Sequence, residues 1–236
     1  MAVQHLITMG YPQEISKLKY DPSFPIRGLF VDTQLGNFLK VDAFRYVYHV
    51  VHGRTNLTGK QRREVYPSAQ VPPDQIGSRF FMMNTLFNLV DACLFSDLVV
   101  YYENQAKVDA RSTQFKADGI YSNEVDISFT NLFHDIRKAV DTVHNNGELK
   151  NKTIEMIDQL VERTPKLSFV LDRLAKAGKK VFLLTNSGFS YTDKLMSALL
   201  NGMNEEKPNW KDYFGRSPTL FLITAFSKLT QFLHSN

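Results

Sequence analysis

The chain has 236 residues, 43% of them apolar and 12% aromatic, which is enough to bury a sizeable core and too apolar for a disordered polymer. Its formal net charge is +4, yet no run of five basic residues occurs and the densest cluster is Lys60-Gln61-Arg62-Arg63, a pattern that argues against nucleic acid and leaves an anionic small molecule as a partner class. One cysteine, Cys93, excludes an internal disulfide and a cysteine-rich metal site.

The first 18 residues carry no basic stretch followed by a long apolar one, and residues 219–226 are too few to span a bilayer. The expectation is a soluble, cytoplasmic protein with no membrane partner. Residues 5–20 read as one or two helical turns broken at Pro12. Residues 27–42 read as two strands around the turn Leu35-Gly36-Asn37, where Gly-Asn is a hairpin signal. A loop rich in Gly, Arg and Lys is expected over 52–68, and a second irregular connection at 71–74. The strongly apolar stretch 79–105 is best read as buried helices.

The clearest helix is at 130–145. Phe133, Ile136, Val140 and Val143 recur at spacings of 3, 4 and 3, and Gly147 sits just past the end. A further helix is expected at 151–163, and another from Thr164 (N-cap) and Pro165 (first position) to a stop at Gly178. A buried strand at 180–184 follows and ends on Thr185-Asn186-Ser187. Helix, glycine turn and strand in that order make an α/β unit with a parallel sheet, in which ligands collect at strand carboxyl ends. There the loop can aim hydroxyl, amide and backbone N–H groups at an anion. Taken alone it also reads as an ordinary polar turn.

Two other groups carry the same double reading. Arg137, Asp141 and His144 share a helix face beside the apolar stripe, with Lys150 six residues on. They are either a recognition row, with cations and one acceptor for a base, sugar or phosphate, or a solvated Arg137–Asp141 pair. Phe87 and Asn88 are either a stacking ring with a hydrogen-bonding amide or a core residue with a helix cap.

Four segments occur in order: "GYPQEISKLKYDPSFPIRGLFVDTQLGNFLKVDA", "RFFMMNTLFNL", "DIRKAVDTVHNNGELK" and "VFLLTNSGFSYTDKLM". Together, over about residues 10–214, they resemble the cytosolic purine 5'-nucleotidases of the haloacid dehalogenase superfamily. The resemblance implies an α/β fold with an incomplete Rossmann-like core (1–49 and 152–236) and an inserted, mainly helical cap (50–151). It implies hydrolysis of purine nucleoside 5'-monophosphates such as IMP and GMP, with Mg²⁺ and a phospho-aspartate intermediate. By matching motif, Thr185, Asn186 and Ser187 hold the transferred phosphate, and Lys228 aligns loosely with the third-motif lysine. Phe87, Asn88, Arg137, Asp141, His144 and Lys150 fall on positions that meet the nucleoside.

The chain departs from that pattern in its carboxylates. The superfamily attacks phosphorus with the first Asp of an Asp-x-Asp pair, and no two aspartates are spaced two apart here. "FVDTQLG" holds one carboxylate, Asp32, on a segment matched by a noncatalytic part of the family pattern. The first motif is expected upstream of Met1, and the acidic fourth motif is missing as well. The expectation is a truncated, catalytically impaired form with no metal ligands and no proper grip on Mg²⁺. The alternative is a non-catalytic nucleotide-binding or regulatory subunit, self-associating or joined to full-length relatives.

Overall fold

A computed structural model describes residues 1–24, 28–107, 114–214 and 221–222. The chain is α/β and clusters into two compact units, Met1–Asn146 and Gly147–Asn236.

In the first unit α1 (Ala2–Thr8) is followed by a tight helical turn at Gln13–Lys17, with Pro12 between them. β1 (Leu29–Asp32) and β2 (Asn37–Val41) form the expected antiparallel hairpin, with Asp32 opposite Asn37. β3 (Val47–His52), β4 (Thr55–Asn56) and, beyond α2 (Gly59–Val65), β5 (Phe80–Met83) complete an antiparallel sheet in the order β4-β3-β2-β1-β5. α3 (Asn88–Gln105) follows. A small hairpin of β6 (Gly119–Tyr121) and β7 (Asp126–Ser128) then leads into α4 (Phe129–Asn145).

The sheet is covered on both faces, which explains why β1 is apolar without alternation. Leu29 and Val31 pack with Phe38, Phe95, Leu98, Phe129 and Ile136 on the helical side, while Phe30 packs with Leu39, Val50, Tyr66 and Phe80 on the other. α4 presents the stripe read from its periodicity, with Phe133, Ile136, Val140 and Val143 all buried. Ser128 caps it by accepting from the Asn131 N–H at 3.2 Å.

Two expectations for this unit need correction. The stretch 79–105 is not all helix, because Phe80–Met83 is a strand held by β1. A strand of four consecutive apolar residues has no period-2 signature to separate it from helix. The loop expected at 52–68 contains β4 and α2. A capping box starts α2: Thr58 accepts from the Gln61 N–H, and the Gln61 side chain accepts from the Thr58 N–H. Replacing Thr58 by Ala should cost about 1 kcal/mol in urea unfolding, the usual worth of a cap.

A buried polar chain crosses the sheet. Arg79 donates twice to Asp32, at 2.9 Å to Oδ1 and 2.7 Å to Oδ2. Tyr66 also donates to Asp32 Oδ2 at 2.9 Å, and the Asn37 amide donates to Tyr66 and to the Phe115 carbonyl. His52 bridges the Asn37 oxygen at 2.7 Å and Glu103 at 3.0 Å. Burial and the neighbouring Asp32 charge push the Tyr66 phenol well above its ordinary range, so it stays a donor.

In the second unit α5 (Glu148–Glu155) and α6 (Ile157–Leu160) break at Met156, whose φ of −114° and ψ of 31° are not helical. They replace the single helix expected at 151–163. α7 (Pro165–Lys176) starts as read, with Thr164 at the N-cap position, although its side chain makes no capping bond. Gly178, at φ +74°, stops the helix. The strand expected at 180–184 reduces to β8 (Leu184–Thr185), which pairs in parallel with β9 (Phe221–Leu222). A strand is fixed by its neighbours' hydrogen bonds, and only these two residues have a described partner. Phe182 and Leu184, read as core, are 60% and 57% exposed. α8 (Phe189–Leu200) follows, and Leu200, Trp210 and Tyr213 centre the small core of this unit.

Candidate functional site

The row on α4 is half in and half out of solvent, because its residues flank a stripe that is fully buried. Arg137 has 27% of its side chain exposed and Asp141 54%. Arg137 makes the (i, i+4) pair with Asp141 at 3.3 Å, but its other terminal nitrogen donates to Asp91 of α3. The guanidinium also lies 5.4 Å from the centre of the Phe81 ring. It is therefore held from three sides.

Asp91 is the residue that sequence reasoning missed. It is fully buried, and burial pushes its carboxyl above the ordinary range against the opposite pull of Arg137. Oδ2 takes the Arg137 bond and a longer one, 3.4 Å, from the Asn88 amide. Oδ1 has no hydrogen-bond partner among the described residues. The available signal was an acidic residue, one of two with Asp97, inside the apolar run 89–99, where a charge is costly unless paired.

Asn88 is buried at the start of α3, its oxygen accepting from the Thr85 hydroxyl at 2.7 Å and its amide reaching Asp91. Phe87, next to it, is 70% exposed, and the His144 ring meets it edge to face at 5.6 Å. Five of the six residues read as meeting a nucleoside thus stand together: Phe87, Asn88, Arg137, Asp141 and His144. The arrangement offers an open aromatic face, a fixed guanidinium, an exposed carboxylate and an imidazole edge. A planar heterocycle can stack on Phe87 while its rim reaches donors and an acceptor.

Lys150 belongs to the second unit. It lies on α5, 5.7 Å from the centre of the Tyr191 ring of α8. A cleft of about 550 Å³ there is lined by Lys150, Asn151, Ser190, Tyr191 and Lys194, with one carboxylate, Glu155, among them. Beside it the loop Thr185-Asn186-Ser187 turns on itself, the Ser187 N–H donating to the Thr185 hydroxyl at 3.0 Å. Asn186 is exposed, and Gly188 opens α8. The lysines, hydroxyls and free N–H groups of a twelve-residue helix start are donors suited to an anion. Lys228 lies outside the described residues.

Asp32 is closed to chemistry. It is fully buried, and its oxygens accept from Arg79, Tyr66 and the N–H groups of Gln34 and Leu35. Among the described residues no group of three or more His, Cys, Asp or Glu stands together to hold a metal ion. The loop 185–187 itself carries no carboxylate. Among the described residues no helix is long and apolar enough to cross a membrane.

A model of the 5' nucleotidase family matches residues 1–217. A 5'-nucleotidase domain-containing protein of Dictyostelium discoideum is 31% identical over 218 residues, covering 91% of this chain and 34% of that relative. The chain therefore spans about a third of that relative's length.

Proposed function

Because the chain belongs to the 5' nucleotidase family, we propose that it recognises a purine nucleoside 5'-monophosphate such as IMP or GMP and that these 236 residues alone hydrolyse it poorly or not at all. In this reading Phe87, Arg137, Asp141 and His144 of the first unit are the nucleoside-meeting residues. Within the second unit, Thr185, Asn186, Ser187 and Lys150 are the residues with donors suited to phosphate. The observation that carries it is the exposed Phe87 ring packed on His144, seven residues along α4 from a guanidinium already fixed by two carboxylates and a ring face. A guanidinium so held loses little freedom when a ligand arrives.

The impaired hydrolysis rests on the lack of any Asp-x-Asp pair and on the engagement of Asp32. The haloacid dehalogenase assignment, the Rossmann-like core with its cap, a cytoplasmic setting and association with itself or longer relatives belong to the same proposal.

Calorimetric titration of IMP tests the binding half. Phe87→Ala and Arg137→Ala should each weaken affinity by about tenfold, the scale of one lost stacking or charged hydrogen-bond contact. Equal affinity in wild type and both variants would sink the reading. For the second half, phosphate release from IMP with Mg²⁺ should stay at the level of a protein-free blank. Hydrolysis that disappears in Asp32→Asn would overturn it by showing a nucleophile where an ion pair is described.

A further inference from the structure

We propose that Asp91 is a positioning residue of the nucleotide site: it sets the place and plane of the Arg137 guanidinium without itself touching the ligand. This deepens the nucleotide reading above and rests on it.

The geometry runs through four side chains. The Thr85 hydroxyl donates to the Asn88 oxygen, the Asn88 amide to Asp91 Oδ2, and Arg137 to that same oxygen. The chain starts beside the Phe87 platform at the head of α3 and ends on the flank of α4. It ties the ring on which a base would stack to the fork that would read the base's rim. Asp141, half-exposed at the other terminal nitrogen, restrains the fork from the solvent side.

Stability alone does not account for a carboxylate at this position. The neighbours of Asp91 on α3, namely Ala92, Leu94, Phe95 and Leu98, are core residues, and an apolar side chain would serve the same packing. Instead the protein keeps a fully buried carboxylate with one oxygen unpartnered among the described residues, an arrangement that calls for a reason beyond folding. The raised Asp91 carboxyl points the same way. A folded-state pKa above the unfolded one means stability falls as pH rises through that interval, so the ionised group opposes folding at neutral pH. A surface Arg137–Asp141 pair would need no such partner. What Asp91 adds is orientation, since its oxygen is rigid where Asp141 is free to turn.

Asp91→Asn keeps the shape and removes the charge that holds Arg137. In the full chain, IMP affinity should fall about tenfold while the midpoint of thermal unfolding does not fall. In an Arg137→Ala background the same change should cost no further affinity, because the residue acts only through that guanidinium. Arg137→Lys, which keeps the charge at a half-exposed position but loses the planar fork, should weaken IMP binding as much as Arg137→Ala. It serves as the test if Asp91→Asn folds poorly. Wild-type affinity in Asp91→Asn or in Arg137→Lys, alongside weakened affinity in Arg137→Ala, overturns the positioning role alone. Wild-type affinity in all of them overturns the nucleotide reading on which it rests.

Discussion

Replacing Arg79 by Ala should lower the free energy of unfolding by about 3–5 kcal/mol, the cost of leaving a buried charge without its partner. Asp32 is fully buried, whereas the Arg79 side chain is 30% exposed, so the arginine is the partner that can leave for water and the aspartate is not. Asp32 would keep its bonds from Tyr66 and from the Gln34 and Leu35 N–H groups, which places the loss nearer the lower figure. Urea unfolding read by two probes gives the number, provided the transitions coincide. Adding Asp32→Asn to Arg79→Ala should recover part of the loss, because no unpaired charge then remains buried. A double variant as unstable as the sum of the two singles would show that Asp32 matters for something other than this pair. The result also bears on chemistry. A carboxylate whose removal is felt in folding and not in phosphate release is a hairpin anchor.

Gly36→Ala should cost about 2–5 kcal/mol, combining a left-handed backbone with an overfilled core. Gly36 has φ +69°, and a Cβ there would lie 2.8–3.0 Å from three atoms of the Phe129 ring. Phe129 is fully buried and packs edge to face on His52 at 5.5 Å, so it has little room to yield. Gly77 provides the control. Its φ is +90°, but a Cβ would meet nothing within 4 Å, so Gly77→Ala should show only the backbone part. If the two variants lose equal stability, the ring contact is not what constrains the turn.

Much of the local structure was legible in the residues. Leu35-Gly36-Asn37 marked the hairpin because glycine takes the left-handed backbone of the turn without strain. The 3-4-3 spacing of Phe133, Ile136, Val140 and Val143 marked α4 and its buried face, and hence the half-exposed flank of Arg137, Asp141 and His144. β5 was not legible. Phe80–Met83 is a strand only because β1 supplies its hydrogen bonds, and the paired residues, from Met83–Leu29 to Phe80–Asp32, are 48 to 54 positions apart in the chain. The strand at 180–184 erred the other way, since its apolar run is real but a described strand partner exists within it for Leu184 alone. α2 was legible in principle, because Thr58 and Gln61 already spell its capping box.

The amino-acid sequence by itself determined the class of the fold, the hairpin, the principal helix and the lack of an Asp-x-Asp pair. Those depend on spacing and on residue identity, which are properties of the chain. Tertiary structure alone decided that Asp32 is spent on Arg79 and Tyr66, that Lys150 faces Tyr191, and that Arg137 rests on Asp91. A hydrogen bond acts over about 3 Å, and packing, not order along the chain, brings those atoms within its reach.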